Sequence, residues 1–149
     1  MNPHIHRVCL VILALSGLIV GPWAYFAPLH WYNTFPGMGM QWLPVLGPFN
    51  EHLVKDVGGM YLGLAALSFW TLFHLTNRTL VLITAVSWTI FNTLHLTYHA
   101  TMLHMYDTFN AVMNVIALTT VLVCSAALAI PTTTATRTDA GTTHADSRL

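Results

Sequence analysis

The chain has 149 residues, 55% of them hydrophobic and only 7% charged, with no net charge and a mean hydropathy of +0.61. Soluble domains carry about 25% charged residues, so this composition excludes an ordinary water-soluble protein. Neutrality also removes any basic field that would draw nucleic acid, and the length allows one compact domain.

Four apolar segments follow one another, over residues 8–26, 57–75, 79–98 and 108–130. Each is close to the roughly 20 residues that a membrane-spanning helix needs. They predict an all-α protein, a bundle of four transmembrane helices over residues 1–130. The first segment follows Arg7 as a signal peptide would, but it continues through Gly21-Pro22-Trp23-Ala24-Tyr25 without a small-x-small cleavage site. It therefore reads as an uncleaved first helix. Cys9 and Cys124 lie inside apolar segments and no CxxC occurs, so both read as buried thiols packing as small hydrophobes.

Residues 28–50 contain no charge and are rich in Trp, Met, Gly and Pro. A solvated loop would be more polar. Trp23, Trp31 and Trp42 suit the headgroup level of a membrane, and the segment reads either as an aromatic cap on the outer face of the bundle or as a merely interfacial loop. Asn77-Arg78 makes a tight turn that forces the second and third helices antiparallel and adjacent. Pro131 ends the last helix. The Thr- and Ala-rich stretch 131–149 reads as a disordered cytoplasmic tail, and His144 in it has no evident partner.

The basic residues set an orientation. With the N-terminus inside, Arg7, Arg78, Arg137 and Arg148 are cytoplasmic and only Lys55 is outside. The positive-inside rule favours this arrangement, a multi-pass protein of the cytoplasmic membrane with both termini in the cytoplasm.

Polar residues then recur at helical spacing, where positions three or four apart share a face. His52 and Asp56 precede Gly59 and Gly63 on one stripe of the second helix, and the glycines there would admit a neighbouring backbone. Trp88, Asn92, His95 and His99 share a stripe of the third helix. Asp107, Asn110 and Asn114 do so on the fourth. In the inferred topology all three stripes fall in the outer leaflet, which predicts a single cluster. An Asp at a helix centre costs about 2.5–3.5 kcal/mol on insertion scales and less toward the interface, so inward-facing, mutually satisfied groups are the simplest arrangement.

Three uses of such a cluster compete. It could be hydrogen-bonding glue between helices, each bond worth about 0.6 kcal/mol. It could hold a transition metal (zinc, copper or iron) or haem, with His52, His95, His99 and His104 as ligands and Asp56 completing or orienting the shell. It could also form a pocket for a small molecule, a lipid head or a proton path. No HExxH occurs, because Leu96, Thr97 and Tyr98 separate His95 from His99, so a zinc-peptidase base is missing. His74 reads as interfacial, His4 and His6 as anchors of the first helix, and His30 as part of the cap. The Met38-Gly39-Met40 run is too short to argue copper(I), so its methionines, with Met60, Met102 and Met105, read as packing residues.

The segment Asn50-Glu51-His52-Leu53-Val54-Lys55-Asp56-Val57-Gly58-Gly59-Met60-Tyr61-Leu62-Gly63-Leu64 resembles a signature of small bacterial four-helix membrane proteins of the DoxX-like kind. The resemblance extends over residues 50–114 and includes His95 and His99 as an HxxxH-like element. It implies a cytoplasmic-membrane protein with an accessory role beside redox systems, and no catalytic residue comes with it. The combined expectation is a membrane binding or accessory protein with a partner protein or a second copy. A small oxidoreductase using a His-ligated metal or haem is the enzymatic alternative, and a scaffold with a purely structural cluster is the other.

Overall fold

The computed structural model describes residues 2–132. It contains four long helices and a short one: α1 (Pro3–Phe26), α2 (Pro28–Thr34), α3 (Glu51–Phe73), α4 (Arg78–Met102) and α5 (Thr108–Ala127). The four long helices are long and apolar enough to cross a membrane. Two short strands, β1 (Pro36–Gly37) and β2 (Met40–Gln41), form an antiparallel hairpin. Single 3₁₀ turns cover Pro44–Leu46 and Leu103–Met105.

Each long helix begins on a side chain that accepts from its first turn. Asn2 accepts from the His4 amide, Asn50 from Leu53, Asn77 from Leu80 and Asp107 from Asn110. These caps satisfy amides that no helical carbonyl can reach. They also explain why α1 and α3 start about a turn and a half earlier than hydropathy predicts. The capped first turns are polar and fall outside an apolar window. At the other end α5 stops at Ala127 rather than 130. The Arg78 guanidinium donates to the Leu128 and Ala129 carbonyls, and His6 Nε2 lies 3.1 Å from the Ile130 carbonyl. That turn is thereby tied to α1 and α4.

The long helices neighbour one another in the cyclic order α3, α1, α5, α4, with α4 returning to α3. The α1–α3 seam is the closest. Gly17 and Gly21 of α1, four residues apart, face Tyr61, Leu62 and Ala65 of α3. Gly58 faces the Tyr25 amide and the Gly21 carbonyl. A Cβ on Gly58 would stand 2.7 Å from the Tyr25 nitrogen, so glycine is required there for the two backbones to approach. The expected packing glycines, Gly59 and Gly63, have nothing within 4 Å of where their Cβ would be. The stripe that α3 buries is Val54, Gly58, Ala65 and Ser68. The packing glycine is thus the neighbour of the expected one, because Gly58 and Gly59 are adjacent in sequence and only the fit against Tyr25 and Gly21 chooses between them.

The core has two parts. At the end away from the hairpin, Cys9, Leu10, Leu13, Val81, Ala85, Trp88, Cys124 and Leu128 pack together, and both cysteines are free thiols. Buried hydrogen bonds cross this region, from Trp88 Nε1 to Ser68 Oγ at 2.7 Å and between the Thr71 and Thr84 hydroxyls at 2.7 Å. At the other end Val20, Ala24, Trp31 and Val54 form a second cluster beneath α2 and the hairpin. Outward faces of the long helices are apolar, including Val8, Leu15 and Ile19 of α1, Ile83 and Ile90 of α4, and Ile116 and Val123 of α5.

The segment between α1 and α3 is a folded cap rather than a loop. Pro28 occupies the first turn of α2, where its fixed φ suits a helix start. The hairpin turns through Gly37, Met38 and Gly39, all with positive φ. The expected disordered tail lies outside the described residues from 133 onward.

A chamber between the long helices and the cap

A partly enclosed chamber of about 160 Å³ lies at the cap end, and all four long helices and the cap line it. Trp31, Phe35 and Trp42 of the cap form its roof, with Tyr61 and Trp88 on the opposite side. One wall is polar: Asn92, His95 and His99 from α4, and Asn114 from α5. This wall follows from the 3.6-residue repeat, since Trp88, Asn92, His95 and His99 rise along one face of α4.

The polar groups differ in how they are satisfied. Asn92 Nδ2 donates to the Val121 carbonyl at 3.2 Å and approaches Ser125 Oγ at 3.4 Å, so it bridges α4 to α5. The His95 ring stacks on Phe91, with centroids 5.2 Å apart, and lies 4.6 Å from the His99 ring. Trp31 Nε1, His99 Nδ1 and both amide atoms of Asn114 are buried and have no hydrogen-bond partner among the described residues. Trp31 is 7% exposed, His99 6% and Asn114 1%. Leaving such groups unmatched costs about 1–3 kcal/mol each, and nearly all buried polar groups in proteins are paired. All three of these side chains line the same chamber.

A second recess of about 300 Å³ adjoins the first. The two share Trp31, Leu43, Val57, His95 and His99 as lining. Beyond them the second recess is walled largely by apolar groups of the cap and α3, among them Leu46, Leu53 and Val54.

The expected cluster is therefore divided. Asn92, His95, His99 and Asn114 come together on the chamber wall. His52 and Asp56 do not join them. Their side chains are 88% and 63% exposed and pair with each other, at 3.4 Å. The same rotation of α3 that buries Gly58 turns them outward. His104 is exposed, with Nδ1 3.1 Å from the Thr101 carbonyl. Among the described residues no three His, Cys, Asp or Glu side chains gather as a metal would need, so the proposed five-residue ligand set does not assemble.

Asp107 and Asn110 serve the cap instead. Asp107 caps α5 and accepts from Asn110 Nδ2 at 2.6 Å, and Asn110 Oδ1 accepts from Trp42 Nε1 at 2.9 Å. The Tyr106 hydroxyl donates to the Trp42 carbonyl at 2.9 Å, and burial pushes its pKa up to about 12. The Asn110 hydrogen bonds hold the Asp107 carboxyl below its ordinary value of 3.8. A depressed acid stabilises the fold above its unfolded pKa and loses that contribution as pH falls through its folded pKa. Acidification below pH 4 is therefore expected to loosen the Trp42 anchor, read as a change in tryptophan emission. Asp107→Asn should remove the pH dependence of that change.

Trp31, Trp42, Tyr61 and Ser16 are chamber residues that sequence reasoning did not assign to the site. For Trp31 the signal was present. Pro28 starts a helix, and Trp31 and Phe35 then fall four apart on one side of it. Tyr61 could be found only by knowing which face of α3 packs.

Comparison with models of known protein families, with curated proteins and with solved structures finds no match to this chain.

Proposed function

We propose that this protein spans a membrane through its four long helices and binds a small neutral ligand in the chamber. One observation carries the reading. Three side chains lining one chamber, Trp31 of its roof with His99 and Asn114 of its wall, keep buried polar atoms without a partner among the described residues. A fold gains nothing by this arrangement, and a binding site gains preformed hydrogen-bonding groups in an apolar setting. Apolar outward faces on four helices of spanning length support the membrane placement. The basic residues support cytoplasmic termini, with the cap end outside. A C-terminal reporter should accordingly be active only in the cytoplasm.

An accessory role in the cytoplasmic membrane, beside a partner protein or a second copy, is in keeping with the DoxX-like resemblance. The size of the chamber argues against haem, because a cavity of about 160 Å³ lies below the ~300–1,000 Å³ usual for drug-sized ligands. The adjacent His95 and His99 rings are the one observation favouring a metal, and they supply two ligands where zinc usually takes three or four.

Xenon tests the chamber directly, since an apolar-lined cavity of about 150 Å³ is known to admit it and most of this chamber's lining is apolar. Protein in lipid nanodiscs is expected to give a bound-xenon resonance that Ala117→Phe, on the chamber wall, abolishes and the outward-facing Val112→Phe preserves. Equal loss or equal retention in both variants would refute an accessible chamber. Stoichiometric zinc, copper or iron that disappears in both His95→Ala and His99→Ala would replace the neutral-ligand reading by the metal one.

A further inference from the structure

The chamber's hydrogen-bonding pattern specifies more than a cavity. We infer that its ligand is a neutral hydroxylated ring, a compound of the phenol class. This rests on the chamber being a binding site, as proposed above, and adds the chemistry of its occupant.

Size gives the first constraint. A volume of about 160 Å³ is close to the ~150 Å³ cavity that accommodates benzene, so one six-membered ring fits. The aromatic lining gives the second. Trp31, Phe35, Trp42, Tyr61 and Trp88 surround the space, and ring edges and faces meet favourably at such surfaces. Charge gives the third. No Asp, Glu, Lys or Arg of the described residues lines the chamber, so an ammonium ligand would be left without a counter-charge, and a carboxylate would have one only by charging His95 or His99 in an apolar setting, at a high desolvation cost.

The unpartnered atoms give the last constraint. Trp31 Nε1 is a donor only, whereas the Asn114 amide offers a donor at Nδ2 and an acceptor at Oδ1. A ligand that satisfies both side chains must accept and donate. A hydroxyl does both from one atom, whereas a carbonyl or ether leaves Asn114 Oδ1 unmatched. His99 Nδ1 takes either role according to its tautomer.

The phenol has two possible sources. It could be a free small molecule, or the ring head of a membrane amphiphile whose chain runs into the adjoining recess beside Leu46, Leu53 and Val54. Titration calorimetry on nanodisc-embedded protein, corrected with empty nanodiscs, separates these with benzene, phenol and 4-octylphenol. Phenol is expected to bind about tenfold more tightly than benzene, the equivalent of one or two net hydrogen bonds. Asn114→Leu and Trp31→Phe should each reduce that selectivity severalfold. Tighter binding of 4-octylphenol than of phenol assigns the amphiphile, and weaker binding assigns the free molecule. Phenol and benzene binding alike, selectivity that survives both substitutions, or xenon entering a chamber that takes neither ring would overturn the inference. A chamber closed to xenon as well would instead overturn the binding reading beneath it.

Discussion

Gly58→Leu is expected to cost about 3 kcal/mol, with Gly59→Leu at the next position changing stability by less than about 0.5 kcal/mol. Leucine is a good helix former, so neither change is penalised by propensity. The difference is steric. A Cβ at Gly58 meets the Tyr25 amide nitrogen at 2.7 Å and the Gly21 carbonyl oxygen at 2.9 Å, whereas Gly59 has open space around it. Those neighbours are backbone atoms of a helix and cannot rotate away, so α1 and α3 must separate. Because Val20, Ala24 and Val54 pack together at this end under Trp31, separation would also disturb the chamber roof. Thermal unfolding in matched lipid nanodiscs measures the contrast. A larger loss at Gly59 than at Gly58 would mean that α3 packs on its other face, and the placement of His52 and Asp56 outside the site would fail with it.

Asn114→Leu and Asn92→Leu are expected to move stability in opposite directions. Both asparagines are buried on the same wall, at 1% and 2% exposure. Asn92 donates to Val121 and Ser125, so its loss removes a tie between α4 and α5 worth roughly 0.6–1.5 kcal/mol. Asn114 has neither donor nor acceptor matched among the described residues. A leucine of similar size removes that burden and should stabilise by about 1–3 kcal/mol. The gain comes with loss of ligand selectivity, the usual relation where a site holds polar groups ready at the expense of stability. If Asn114→Leu destabilises as much as Asn92→Leu, the wall is structural glue and the binding reading falls.

The three polar windows illustrate where sequence reasoning reaches its limit. The stripe Trp88, Asn92, His95 and His99 was legible because all four residues sit on one helix, and helical periodicity alone decides that they share a face. Asn114 was legible for the same reason, as a polar residue within an apolar run. His52 and Asp56 were misread because periodicity fixes which residues share a stripe and not which way the stripe turns. Van der Waals fit decided that, and it selected Gly58 over Gly59 through contacts with Gly21 and Tyr25, more than thirty residues away. Asp107 and Asn110 were read as chemistry, but Asp107 is a helix cap and both residues hold Trp42. Any Asp ahead of an apolar run carries that second meaning.

Composition and periodicity by themselves determined the helical class, the number of long apolar helices and the polar face of α4, since each depends on local sequence and on the cost of polar groups in an apolar setting. The tertiary structure alone decided the rotation of α3, the folding of residues 28–50 into a roof, and the meeting of Trp31, His99 and Asn114 around one space. Those three side chains come from different elements, and their unmatched atoms become visible only once every neighbouring donor and acceptor has been placed.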